Sequence, residues 1–88
     1  MTYTVSILRS AQRQLAKINR QDQARIIAAI RTLAEDPRPA GCKKLSGRPA
    51  WRIRVGAYRV IYEIHDNQLF VLVIAVGHRR EIYRRENR

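Results

Sequence analysis

The chain has 88 residues, of which 18 are lysine or arginine and 7 are aspartate or glutamate, giving a formal charge of +11 with histidine neutral. That length suits one small domain near the lower limit at which a single core suffices, and a hydrophobic content of 45% is ordinary for a folded protein. No apolar run reaches the ~18 residues that cross a bilayer, no secretory leader pattern opens the chain, and the lone Cys42 excludes an internal disulfide, so a cytoplasmic protein is expected.

Residues 2–8 are β-branched and aromatic with rough alternation, which predicts a strand. Ser10 is placed to cap the helix that follows. In that helix Ala11, Leu15 and Ile18 recur at helical spacing, while Arg9, Arg13 and Lys17 line another side. Asn19-Arg20 reads as a tight connection, and Asp22 suits the positive end of a second helix. Ile26, Ile30 and Leu33 form its apolar stripe, widened by Ile27 and Ala34. Asp36-Pro37 stops it, because a residue before proline resists helical geometry. Two amphipathic helices with a short link predict an antiparallel pair whose apolar side needs a sheet.

Arg38 to Arg48 reads as a polar, basic loop in which Cys42 is a bystander or, less simply, a reactive thiol. The stretch from Trp51 to Tyr62 then alternates apolar residues with arginine on either side of Gly56-Ala57, which predicts a β-hairpin with a type II′ turn. With those two residues as the loop, Val55 faces Tyr58, Arg54 faces Arg59, Ile53 faces Val60 and Trp51 faces Tyr62. One face is then apolar and aromatic, and the other carries Arg52, Arg54 and Arg59. Like charges directly opposite each other cost stability unless something negative lies between them. Glu63 to His65 extends the second strand, and Asp66-Asn67 reads as a turn. Leu69 to Val76 is apolar on both parities, which predicts a strand covered on both faces. Glu81 to Arg88 has room for one or two helical turns. The predicted fold is α+β in a single domain over residues 1–88: an N-terminal strand, an antiparallel helical hairpin, then a three-strand antiparallel meander forming one sheet with the helices on one face.

From Pro37 to Tyr62 there is no acidic residue, while Arg38, Lys43, Lys44, Arg48, Arg52, Arg54 and Arg59 fall in that window. Such a field favours a polyanion: nucleic acid, an anionic membrane or an acidic protein. The acids are dispersed at element ends and form no carboxylate cluster for two metals. One cysteine and two histidines give no zinc spacing, and neither a phosphate-loop glycine pattern nor a nucleophile elbow is present. An enzyme made from this set works without metal or cofactor, using cationic and phenolic groups. RNA cleavage suits it, because arginines stabilise charge on the phosphorane and a tyrosine, histidine or lysine moves protons. The candidates are Arg52, Arg54, Arg59, His78, Arg79 and Tyr83. The plainer readings stand beside this: the hairpin arginines as a solvated face, His78 as an ordinary surface residue, Trp51, Tyr58 and Tyr62 as core. The stripe of Arg9, Arg13 and Lys17 is either a solvated face or a contact with an RNA backbone.

Lys44-Leu45-Ser46-Gly47, the Trp51–Tyr62 hairpin, Val73-Ile74-Ala75-Val76-Gly77-His78-Arg79 and then Tyr83 together resemble the RelE/ParE toxin superfamily of bacterial type II toxin–antitoxin systems, closest to RelE, over essentially the whole chain. The resemblance implies a ribosome-dependent endoribonuclease that cleaves mRNA in the A site and is neutralised by a cognate RelB-type antitoxin, with DNA contacted only indirectly through that complex. It matches Arg59 and Arg79 to phosphate-binding arginines, and Tyr83 to a tyrosine that stacks on a base or shuttles a proton. Arg52 and Arg54 stand where the best-known RelE toxins have lysines; arginine stays charged and is a poor general base, so Tyr83 and His78 are the alternatives for that role. Arg13, Lys17, Lys43 and Lys44 are expected to meet ribosomal RNA, and an acidic antitoxin segment is expected over the arginine face. The rival within the superfamily is a ParE-like inhibitor of DNA gyrase.

Overall fold

The computed structural model describes residues 2–78, beginning with strand β1 (Thr4–Ile7). Val5 and Ile7 turn inward while Thr4 and Ser6 stay exposed, as the alternation predicts. Helix α1 spans Arg9–Ala16 and buries Ala11 and Leu15. Its N-cap is Leu8, with no side-chain cap bond, so Ser10 lies inside the first turn instead of capping it. The sheet fixes this start: Leu8 N–H donates to the Val73 carbonyl at 2.8 Å, and the chain enters the helix directly after that bond.

Helix α2 spans Arg20–Thr32. Asn19, expected only as part of a connection, is its cap. The Asn19 Oδ1 accepts from Asp22 N–H at 2.9 Å, and Asn19 Nδ2 donates to the Asp22 carboxylate at 2.9 Å. The helix ends before Asp36-Pro37. Its last turn tightens through Leu33 N–H to Ile30 O and Ala34 N–H to Arg31 O, and the Ala34 carbonyl then accepts from Tyr3 N–H at 2.7 Å. Tertiary bonding to the first strand has already ended the helix when the proline is reached.

The remaining strands are β2 (Lys43–Lys44), β3 (Trp51–Val55), β4 (Tyr58–His65) and β5 (Phe70–His78), in the sheet order β1-β5-β4-β3-β2. β1 runs parallel to β5 and every other pairing is antiparallel. The β3–β4 register is the predicted one, residue for residue. Gly56 has φ +61° and Ala57 is not in the left-handed region, as a type II′ turn requires. β2 is the strand that the residue pattern does not announce. Lysine is a poor strand former, and these two pair only because β3 offers an open edge, Lys43 opposite Arg52 and Lys44 opposite Trp51. Between β4 and β5 the chain makes a 3₁₀ turn (Asp66–Gln68) and passes through Leu69 at φ +49°, a longer connection than a two-residue turn.

Both helices lie on one face of the sheet. Ala11, Leu15, Ile26, Ile30 and Leu33 close over Ile53, Val60, Tyr62, Val71, Val73 and Val76. The opposite face has no helix among the described residues. There Ala50 and Ile61 are buried, with Leu45, Ile74 and Ala75 packed against them, so the loop before β3 covers part of it. The expectation that β5 is covered on both faces therefore holds fully on the helix side and in part on the other. A bulge at Ile61/Tyr62 contributes: Ala75 pairs with Ile61 and Val73 with Tyr62, which leaves Ile74 as an extra residue in β5. No described helix is long and apolar enough to cross a membrane.

Candidate nucleic-acid interface

Cross-strand partners point to the same side of a sheet. Trp51, Ile53, Val55, Tyr58, Val60 and Tyr62 pack toward the helices, so the intervening residues of the hairpin point away from them. Arg54 stands opposite Arg59 and Lys43 opposite Arg52 on that outer side. Arg59 is in turn opposite Gly77 of β5. A glycine adds no side chain of its own opposite Arg59. Arg52 is only 6% exposed and Arg59 5%, whereas Arg54 is exposed. Arginine is rarely buried because removing its charge from water is expensive. Two buried arginines with a third opposite one of them make a fixed, positively charged row suited to an anion with several oxygens.

Beside the row lies the small apolar patch of Leu45, Ala50, Ile61, Ile74 and Ala75. The residue pattern gave only an indirect signal of it, the run of apolar residues on both parities of β5. At the far end of β4 His65 Nε2 meets Glu63 Oε1 at 3.0 Å, a local pair that leaves His65 with a structural part.

The other candidate residues separate. His78 is opposite Tyr58, with ring centroids 5.9 Å apart in a T-shaped contact, and so shares the helix side of the sheet. Strand alternation sends neighbouring residues to opposite faces, so His78, held in reserve by the residue pattern, lies on the face opposite that of Arg59. Lys44 pairs with Trp51 and also parts from Lys43. Arg13 and Lys17 are exposed on the helical layer, across the molecule from Arg52. Arg79 and Tyr83 lie outside the described residues.

Arg38, which the acid-free window groups with the cationic site, belongs elsewhere. Its guanidinium binds Asp66 at 2.8 Å and 3.3 Å and lies 5.0 Å from the Trp51 ring centroid. Tyr3 donates to the same carboxylate at 2.6 Å. Together the Arg38 guanidinium and the Tyr3 hydroxyl hold the Asp66 carboxyl well below the usual carboxylate range, at about 2. Tyr62 is fully buried and donates its hydroxyl to the Pro37 carbonyl at 2.7 Å, and burial pushes its phenol up. Cys42 packs half-buried against the helix-side core. Among the described residues no three His, Cys, Asp or Glu side chains gather as a metal site.

The family model for the ParE toxin of type II toxin–antitoxin systems matches residues 5–83. The chain belongs to the RelE/ParE toxin superfamily. It is 34% identical over 89 residues to Toxin RelG of Mycobacterium tuberculosis, spanning 97% of this chain and 100% of the relative. A putative RelE-like toxin protein of Escherichia coli is 25% identical over 81 residues, or 90% of this chain and 85% of that one. Among solved structures, the RelBE2 toxin–antitoxin complex of M. tuberculosis aligns with a TM-score of 0.79 at 29% identity, covering 90% of this chain and 100% of that one. The archaeal RelE–RelB complex of Pyrococcus horikoshii aligns at 0.80 and 26%, covering 90% and 97%. The two helices and mixed five-stranded sheet are thus the RelE fold, and the chain is a toxin of the RelBE type.

Proposed function

We propose that this toxin is a metal-independent, cytoplasmic endoribonuclease that enters the ribosomal A site and cleaves the messenger held there. The observation that supports it most directly is the pair Arg54–Arg59 on the face that carries no helix among the described residues, flanked by Arg52, with Gly77 opposite Arg59. In RNA the nucleophile is already on the substrate. The 2′-oxygen attacks the adjacent phosphorus, the bond to the 5′-oxygen breaks, and a 2′,3′-cyclic phosphate and a 5′-hydroxyl result. The protein must neutralise the phosphorane, take the proton from the 2′-hydroxyl and supply one to the 5′-oxygen. Arg59 and Arg79 neutralise the phosphate, Arg54 assists, and Arg52 holds the neighbouring backbone. Tyr83 orients a base or transfers a proton. His78, which shares the helix side with Tyr58, drops out of this set. Lys43 extends the row, while Arg13 and Lys17 meet ribosomal RNA from the helical layer and Lys44 from the sheet edge.

A cognate RelB-type antitoxin with an acidic segment over the arginine face is the proposed partner, supported by the RelB–RelE complexes among the similar structures. The match to a ParE family model supports a second reading, a protein that inhibits DNA gyrase through the same fold. One experiment separates them. Messenger 5′ ends are mapped in a translating lysate after the toxin is added, and gyrase supercoiling is assayed in parallel. New in-frame cuts with unaffected supercoiling support the nuclease. No new cuts together with inhibited supercoiling would sink it in favour of the gyrase reading.

A further inference from the structure

The half of β5 that faces Arg59 has a strand neighbour on one side only among the described residues. β1 ends at Ile7, and its last bond to β5 is Leu8 N–H to Val73 O at 2.8 Å. Among the described residues β5 continues to His78 with β4 on one side only. The bulge at Ile61/Tyr62 interrupts even that ladder at the start of this half. A strand in this position would leave outward N–H groups without the acceptors that a neighbouring strand provides.

Helix α1 takes the place of the missing strand. Gln14 Oε1 accepts from Val76 N–H at 2.8 Å, across 62 residues of sequence. Val76 is 1% exposed, so water is a poor substitute for that acceptor. Two residues earlier in the same helix, Gln12 Nε2 donates to the Ile7 carbonyl at 2.8 Å and closes the end of β1. The buried Ala11 and Leu15 anchor the helix turn between and around these amides. The residue after Val76 is Gly77, the partner of Arg59. The Gln14 amide thus holds the Ala75–Val76 peptide, one residue before the glycine opposite Arg59.

We infer that Gln14 is a positioning residue: its side-chain carbonyl fixes the Ala75–Val76 peptide, through it places Gly77 opposite Arg59, and thereby sets the spacing between Arg59 and a bound phosphate. This rests on the nuclease reading for its catalytic consequence, but not for its structural one. Gln14 touches no substrate, and its effect passes through β5. An error of about 1 Å in that spacing is enough to lower a rate roughly 10²-fold when catalysis depends on placement.

The test compares Gln14→Met, which keeps the length and loses the acceptor, with Gln14→Glu, which keeps an acceptor. Amide hydrogen exchange at Val76, Gly77 and His78 and steady-state cleavage on programmed ribosomes are measured for both. In Gln14→Met, exchange at Val76 is expected to speed up at least about tenfold, as for a lost buried hydrogen bond, and kcat to fall about tenfold or more while KM stays within about twofold. Gln14→Glu is expected to restore both. Wild-type exchange and kcat in Gln14→Met would overturn the inference, as would a Gln14→Glu variant no better than Gln14→Met. A kcat loss no larger than the loss of folded protein, measured by thermal melting, would also overturn it. Should the wild-type protein cut no messenger, the nuclease reading fails, while exchange at Val76 still decides whether Gln14 holds β5.

Discussion

Arg38 holds both carboxylate oxygens of Asp66, and in doing so ties the loop after α2 to the turn between β4 and β5. Asp66 also accepts from Tyr3, so the N-terminus joins the same point. Its carboxyl titrates at about 2 in the folded protein against 3.8 for the ordinary group. A depressed folded pKa means stability that is fully present above pH 3.8 and is lost as pH falls toward about 2. Urea titrations across that window should show the wild-type chain losing stability more steeply than Asp66→Asn. Equal slopes would show that the contact contributes nothing pH-dependent.

Tyr62 and Pro37 make a buried contact through hydroxyl and carbonyl at 2.7 Å. Tyr62→Phe removes the donor and leaves the buried Pro37 carbonyl without it, at a cost of about 1–3 kcal/mol. Chemical denaturation measures this directly. A loss of only a few tenths would mean that the loop relaxes to expose the carbonyl.

Asn19 caps α2 through Asp22 N–H. Asn19→Ala should cost about 1 kcal/mol, and Asn19→Asp should keep most of it, because the acceptor oxygen and a favourable charge at the helix start remain. Ser10→Ala, at the position where the residue pattern wrongly suggests a cap, should leave the melting temperature unchanged within error.

Arg54 is exposed on the row where Arg59 is buried. Arg54→Ala should therefore leave the fold intact and relieve the like-charge opposition, so stability is expected to hold or rise slightly. Cleavage should fall by about 10²-fold to 10³-fold, as for loss of one charge-stabilising donor. A variant that melts like wild type and cuts like wild type would remove Arg54 from the site.

Arg13 and Lys17 stand on the opposite side of the molecule from that row. Replacing both with glutamine should weaken ribosome binding and flatten its dependence on salt by roughly one to two in the log–log slope. Unchanged binding would return these residues to the solvated-face reading.

The sequence by itself determined the local half of this protein. Alternation set the hairpin register down to Arg54 opposite Arg59, because two strands joined by a two-residue turn have little freedom to slip. The 3.6-residue spacing of Ile26, Ile30 and Leu33 marked a buried helix face for the same reason of periodicity. Tertiary structure decided what periodicity does not encode. It placed β1 beside β5, made Lys43–Lys44 a strand by offering them an edge, and began α1 before Ser10 through a bond to Val73. It drew Arg38 out of the cationic window to Asp66, because a guanidinium at the end of a long side chain goes to the nearest carboxylate the fold supplies. It also sent His78 to the face opposite Arg59, a result fixed only by the β4–β5 register, which depends on a bulge that no local pattern announces.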